Sequence, residues 1–130
     1  MPIRPLLAVV ACTPLLACAA SSALPAPLAP EPSHSDGDKY HVLYENECLR
    51  LLRYHDQPGE KTHQHGHPDF LLYALVPFER RLTFPDGSRR ERRFQAGEAA
   101  FMRAQVHVGE NIGHAPTDAL LIEMKGCAKR

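Results

Sequence analysis

The sequence carries no excess of charge of either sign: 15 lysines and arginines balance 15 aspartates and glutamates in 130 residues. A balanced chain has no bulk field to draw it to a polyanion, so nucleic acid is set aside as a partner. Long apolar runs are missing as well. The stretch from Leu6 to Leu16 falls short of the roughly 20 apolar residues that a membrane-spanning helix needs. Helical periodicity and internal repeats are also lacking: between Tyr40 and Arg130 no ten-residue stretch has an apolar stripe at helical spacing. Hydrolytic machinery has no obvious nucleophile, because the serines lie before Tyr40 or, as Ser88, in a turn.

What remains divides into two unlike parts within a length suited to one domain. Most of the 12 prolines precede position 40. Residues 1–17 begin with a single charge, Arg4, continue through the apolar run and end in small residues, the pattern of an export signal peptide. At its end "LLAC" resembles the bacterial lipobox, which implies acylation of Cys18 and attachment to a membrane by lipid anchor only. Ordinary cleavage within "ACA" or "SSA" is the competing reading. Either way the expected location is the bacterial cell envelope, on the periplasmic side. Residues 18–39, rich in Ala, Pro and Ser, read as a flexible tether, and residues 40–130 as the folded domain.

Of the four cysteines, Cys12 leaves with the signal and Cys18 is the lipidation candidate. Cys48 and Cys127 then flank the folded domain in a compartment that permits disulfides. A bridge between them would close a loop around the whole fold and add a few kcal/mol. The alternative is a buried thiol at Cys48 and a frayed tail at Cys127.

Within the domain the pattern is that of strands. "HVLYENECLRLLRYHD" reads as one or two strands, "QPGE" as a turn, and "FLLYALVPF" as a buried strand. "ERRLTF" and "RRERRF" flank "PDGS" as a hairpin, its arginines forming a solvated face, and "AGEAAFMRA", "VHVGENIG" and "ALLIEM" supply the rest. Short strands with turns every eight to twelve residues predict an all-β sandwich or barrel.

"KTHQHGHPDF" places His63, His65 and His67 at every second position. In an extended chain all three point to one face, where a metal, an anion or simply solvent could be their partner. A barrel mouth could add His107 from "QVHVGEN", and imidazoles suit zinc, iron, nickel and copper.

"PGEKTHQHGHPDFLLYAL" resembles the first cupin motif and "AGEAAFMRAQVHVGEN" the second. With the hairpin between them the likeness runs from about Glu45 to Met124, and is strongest to small single-domain cupins with an H-x-H-P-D signature, a subgroup that includes β-alanine degradation-type proteins. The resemblance implies a double-stranded β-helix, often dimeric, with a divalent metal (Fe, Zn, Mn or Ni) held by His65, His67 and His107. Asn111 falls at the family's Asn position, and Gly59 and Gly97 match its turn glycines. Three departures stand out. The acid that usually follows the paired histidines is missing, its positions being Phe70, Leu71 and Leu72, with Asp69 nearby. Arg103-Ala104-Gln105 replaces the Pro-x-Gly turn, and His63 is extra, available as a fourth ligand or a catalytic base.

Two functions follow as expectations. One is a metal-dependent dioxygenase or isomerase of a small carboxylate, with His63 as proton acceptor. The other is a non-catalytic lipoprotein that holds a metal or small ligand. A homodimer and a small-molecule ligand are the partners the resemblance allows.

Overall fold

Alternation with period two builds the observed architecture. The computed structural model describes residues 29–127. One turn of helix, α1 (Pro32–Ser35), is followed by nine strands among the described residues: β1 (Tyr40–Glu45), β2 (Leu49–Asp56), β3 (His65–His67), β4 (Phe70–Ala74), β5 (Phe78–Thr83), β6 (Arg89–Phe94), β7 (Ala99–Met102), β8 (Gln105–Asn111) and β9 (Thr117–Met124). They form a five-stranded sheet in the order β1-β2-β9-β4-β7 and a four-stranded sheet in the order β3-β8-β5-β6. Every pairing is antiparallel. The expected all-β class is therefore observed.

The two inner faces meet in a shared core. Leu52 and Tyr54 from β2, Phe70 and Leu72 from β4, and Ala119 and Leu121 from β9 are buried against it. From the second sheet, Phe78 and Phe94 stack at 4.7 Å between ring centroids. The same inward positions also carry charge. Arg50 and Asp56 on β2, Arg80 on β5 and Glu123 on β9 are all buried.

Two turns share one design. In Gln57-Pro58-Gly59-Glu60 and Gln95-Ala96-Gly97-Glu98 the glycines sit at φ +82° and +81°, where other residues are strained. Each closing glutamate accepts the backbone N–H of its turn's first residue, at 2.7 Å from Gln57 and 2.9 Å from Gln95. The Pro-Asp-Gly-Ser hairpin also forms as expected, joining β5 to β6 with Phe78 opposite Phe94. Its arginines are mostly matched with acids: Arg81 with Glu91 and Glu110, Arg92 with Glu98, Arg93 with Glu79.

Several expectations change. "FLLYALVPF" is two strands in different sheets, because the chain bends between Ala74 and Phe78. The signal peptide and Cys18 lie outside the described residues, as does the start of the tether. Residues 29–39, assigned to that tether by composition, pack on the domain. Pro32 is buried, Asp36 is 2% exposed, and Glu31 pairs with the buried Arg50 at 2.5 Å. A guanidinium inside the protein needs acids around it, and local composition cannot reveal that demand. Cys127 is exposed and Cys48 partly covered; both stand as thiols, and Cys127 lies close enough to raise the pKa of Cys48 through a side-chain hydrogen bond, so the two candidates for the bridge do meet.

Phe94→Ala removes one of the two stacked rings and should cost about 3–5 kcal/mol in denaturant unfolding. Arg93→Ala on the neighbouring, outward face should change stability by less than about 0.5 kcal/mol.

Candidate metal centre

β3 lies antiparallel to β8 with His65 directly opposite His107 and His67 opposite Gln105. Cross-strand neighbours at this distance put their side chains in contact, and His67, two residues on from His65, shares its face. The ring centroids of His65 lie 4.8 Å from His67 and 4.9 Å from His107. One ring nitrogen from each of the three histidines lies within 4.8 Å of the others. All three residues are buried. The set named from the sequence is thus brought together, and it could hold a metal ion.

The hydrogen bonds decide which nitrogens face the cluster. His65 Nδ1 is 2.9 Å from the carbonyl of His63, an acceptor only, so this nitrogen carries the proton. His67 Nδ1 is 2.6 Å from the carboxylate of Glu123. The Nε2 atoms of His65 and His67 then meet at 3.0 Å. With both rings neutral, two lone pairs point at each other. Carboxylate or carbonyl on one nitrogen and a shared cation on the other is the arrangement of metal-binding histidines, so the residues present fit a divalent ion.

Electrostatics agree. Burial, and secondarily the neighbouring His67, push the pKa of His65 down to about 4. Burial, then His67 and His65, push that of His107 down to about 2. Both rings are therefore neutral ligands at neutral pH. Tyr40 places its hydroxyl 3.3 Å from His65 Nε2, and burial raises its pKa, keeping the phenol protonated as a donor.

His63 does not join the cluster. Its side chain is 82% exposed and its Nδ1 lies 3.0 Å from Asp36. Regular strand geometry begins only at His65, so alternation does not reach back to His63. The expected base or fourth ligand is thus turned toward solvent. Asp69 is not at the site either; it accepts the N–H of Ala104 at 2.7 Å and steadies the remodelled Arg103-Ala104-Gln105 turn. Asn111 is fully buried and structural, donating to Asp56 and to the carbonyl of Ala115.

Four residues escaped the sequence reading. Glu123 supplies from β9 a carboxylate partner for a histidine, held from its other side by Arg50 at 3.8 Å. Arg80 points inward from the arginine-rich hairpin, over the ring of Tyr54 at 4.3 Å and within 3.3 Å of Asp56, which also accepts from the Tyr54 hydroxyl. Gly109 makes its room, since a Cβ there would sit 2.0 Å from Arg80 Nη2. Alternation in "FERRLT" and "TDALLIEM" was the available signal: Arg80 shares a face with Phe78 and Leu82, Glu123 with Ala119 and Leu121. Tyr40 and Asp36 carried no such signal.

A cavity of about 70 Å³ adjoins the cluster. His67, His107 and Gln105 line it together with Phe70, Phe94 and Met102, and Arg80, Arg90 and Arg92 bring positive charge to its wall. Gln105 Nε2 and His107 Nδ1 are buried without a hydrogen-bond partner. The space admits a group of a few heavy atoms, far less than the roughly 300–1,000 Å³ of drug-sized pockets.

No protein-family model matches the sequence, and no curated protein does. Solved structures do match. A cupin domain from Bordetella pertussis Tohama I superposes with a TM-score of 0.61 at 20% identity, over 67% of this chain and 92% of that one. The fold is that of the cupins. A double-stranded β-helix protein from Klebsiella pneumoniae gives a TM-score of 0.54 at 22% identity, covering 69% of this chain and 74% of its own. An RmlC-like cupin from Methanocaldococcus jannaschii gives 0.52 at 15%, covering 65% and 77%. At such identities the likeness carries the cupin fold and no activity.

In metal-free protein the depressed histidine pKa values set a pH dependence. The unfolded chain takes up these protons near pH 6.5, the folded one only near pH 4 and below. The stability that the neutral rings confer is therefore present above about pH 6.5 and lost as pH falls. Denaturant unfolding at pH 5 should show on the order of 4 kcal/mol less stability than at pH 7.5, and His107→Gln should remove part of that difference. An unchanged slope in the variant would refute the assignment.

Proposed function

We propose that this protein is an exported cupin that binds a divalent metal ion through His65, His67 and His107 and acts on a small organic anion. The observation that carries the reading is the opposed pair of Nε2 atoms at 3.0 Å, with each Nδ1 already committed to an acceptor. Of the metals the cupin resemblance allows, iron, zinc and nickel suit imidazole donors, whereas manganese prefers oxygen ligands. Such an ion would supply Lewis acidity, or electrons if it is iron, at coordination positions the protein leaves open. The cavity wall supports a small carboxylate, because Arg80, Arg90 and Arg92 line it and a bound cation would add to their charge. Tyr40 places a proton donor 3.3 Å from one of the ligand nitrogens, Nε2 of His65. Dioxygenation or isomerisation is the chemistry this arrangement would serve.

One observation favours a binding role without turnover. Each carboxylate near the cluster among the described residues is already engaged: Glu123 by His67 and Arg50, Asp56 by Tyr54 and Arg80, Asp36 by the peptide of His63. No carboxylate is left as a free base for the chemistry, so the chain would then be a module that holds the metal or a small ligand. Export and acylation at Cys18 rest on the sequence of residues 1–18 and fit both readings.

Elemental analysis of the untagged full chain beside His107→Ala decides the metal. One equivalent per chain, lost in the variant, is expected; no metal in either protein after reloading would defeat the reading. For the anchor, Cys18→Ala should release the protein from the membrane fraction and abolish labelling by a fatty-acid analogue.

A further inference from the structure

Residues 29–40 do more than lead into the barrel. β3 is a three-residue strand at the edge of its sheet, and β8 holds only one of its sides. The other side is covered by the incoming chain, where the carbonyl of Pro30 accepts the N–H of Gly66 at 3.0 Å. Gly66 permits this approach, since a Cβ there would lie 3.3 Å from the Cβ of Ala29.

Asp36 makes a second attachment. It is 2% exposed, and its oxygens accept the backbone N–H of His63 at 2.9 and 3.1 Å. Ser35 Oγ donates to Asp36 Oδ2 at 2.8 Å. The carbonyl of His63 in turn accepts the Nδ1–H of His65 at 2.9 Å. A continuous path thus runs from a buried carboxylate, through the backbone of His63, to an imidazole whose other nitrogen faces the cluster. Two successive peptide groups, Thr62–His63 and His63–Gln64, meet at the His63 Cα, so fixing the first limits how the second can turn, and Asp36 Oδ2 itself lies 3.7 Å from His65 Nδ1.

We propose that Asp36 is a positioning residue for metal binding: its carboxylate anchors the backbone N–H of His63, and the backbone so fixed aims the His63 carbonyl at Nδ1 of His65, setting the tautomer and direction of that ring. The proposal rests on the metal reading above. The segment expected to be a free tether would then be part of the wall of the site. The imidazole of His63 takes no part, although its Nδ1 also lies near Asp36. Partners that orient metal-bound histidines typically contribute tenfold to a hundredfold to affinity.

The test uses the full chain and Co²⁺ as probe, its affinity read by chelator competition and its ligand set by absorption. Melting of the metal-free proteins is measured in parallel. Asp36→Asn should weaken Co²⁺ binding about tenfold or more and blur the single His65 tautomer seen by ¹⁵N NMR. His63→Ala keeps the peptide and should bind within about twofold of wild type. Ser35→Ala, the milder change if Asp36→Asn does not fold, should cost about twofold to tenfold. Unchanged affinity in Asp36→Asn, or in Ser35→Ala where it stands in, overturns the proposal. So does a loss in His63→Ala as large as that in the Asp36 variant, which would place the effect in the imidazole. If wild type and His107→Ala bind Co²⁺ alike, the metal reading itself fails and takes the proposal with it. That result is distinct from a wild-type site that ignores Asp36.

Discussion

The site depends on the antiparallel pairing of β3 with β8. Three residues of β3 set His65 against His107 and leave Gly66 between two inward imidazoles. A slip of one residue would send all the inward side chains to the opposite face. So short a strand cannot hold its register by its own ladder. It is held from one edge by β8 and from the other by Pro30, while Asp36 anchors the peptide that precedes it. The irregular geometry before His65 is therefore part of the site. It turns the His63 carbonyl toward His65 Nδ1 and leaves the His63 ring outside.

Around this pairing the barrel interior carries an unusual charge load for a small core. Arg50 is held among Glu31, Glu45 and Glu123, and Arg80 against Asp56 and Tyr54. Buried ions stand only where partners surround them. Here the partners come from distant parts of the chain, so the incoming segment, β2, β5 and β9 are tied into one electrostatic unit. Glu123 joins that unit to the histidines. Through it Arg50, whose ion-pair partners are Glu31, Glu45 and Glu123, bears on the orientation of His67.

Much of this was legible in particular stretches. The alternation of "TDALLIEM" and "LRLLRYHD", the Pro-Asp-Gly-Ser turn and the glycines of the two Gln-x-Gly-Glu turns are local signals, and each appears in place. His65, His67 and His107 were legible through a resemblance, since spacing alone could not bring His107 to the other two. The same alternation extended too far backwards, to His63, because nothing local marks where a strand starts. Residues 29–39 were misassigned for a related reason: Ala, Pro and Ser report how poorly a segment folds alone, and this one folds against β3 and Arg50.

By itself, then, the sequence determined what depends on near neighbours. The all-β class, the turn positions and the inward or outward sense of each long strand follow from dihedral preferences and period-two patterning, which act over a few residues. Tertiary structure alone decided the partners. Glu123 meets His67 across 56 positions, and Asp36 meets the His63 peptide across 27. Contacts of that span follow from how two sheets close on each other, and desolvation then fixes which polar groups must pair inside. The fold carried the histidines to one place; burial keeps His65 and His107 neutral, while the His63 carbonyl and the Glu123 carboxylate serve as acceptors for His65 and His67.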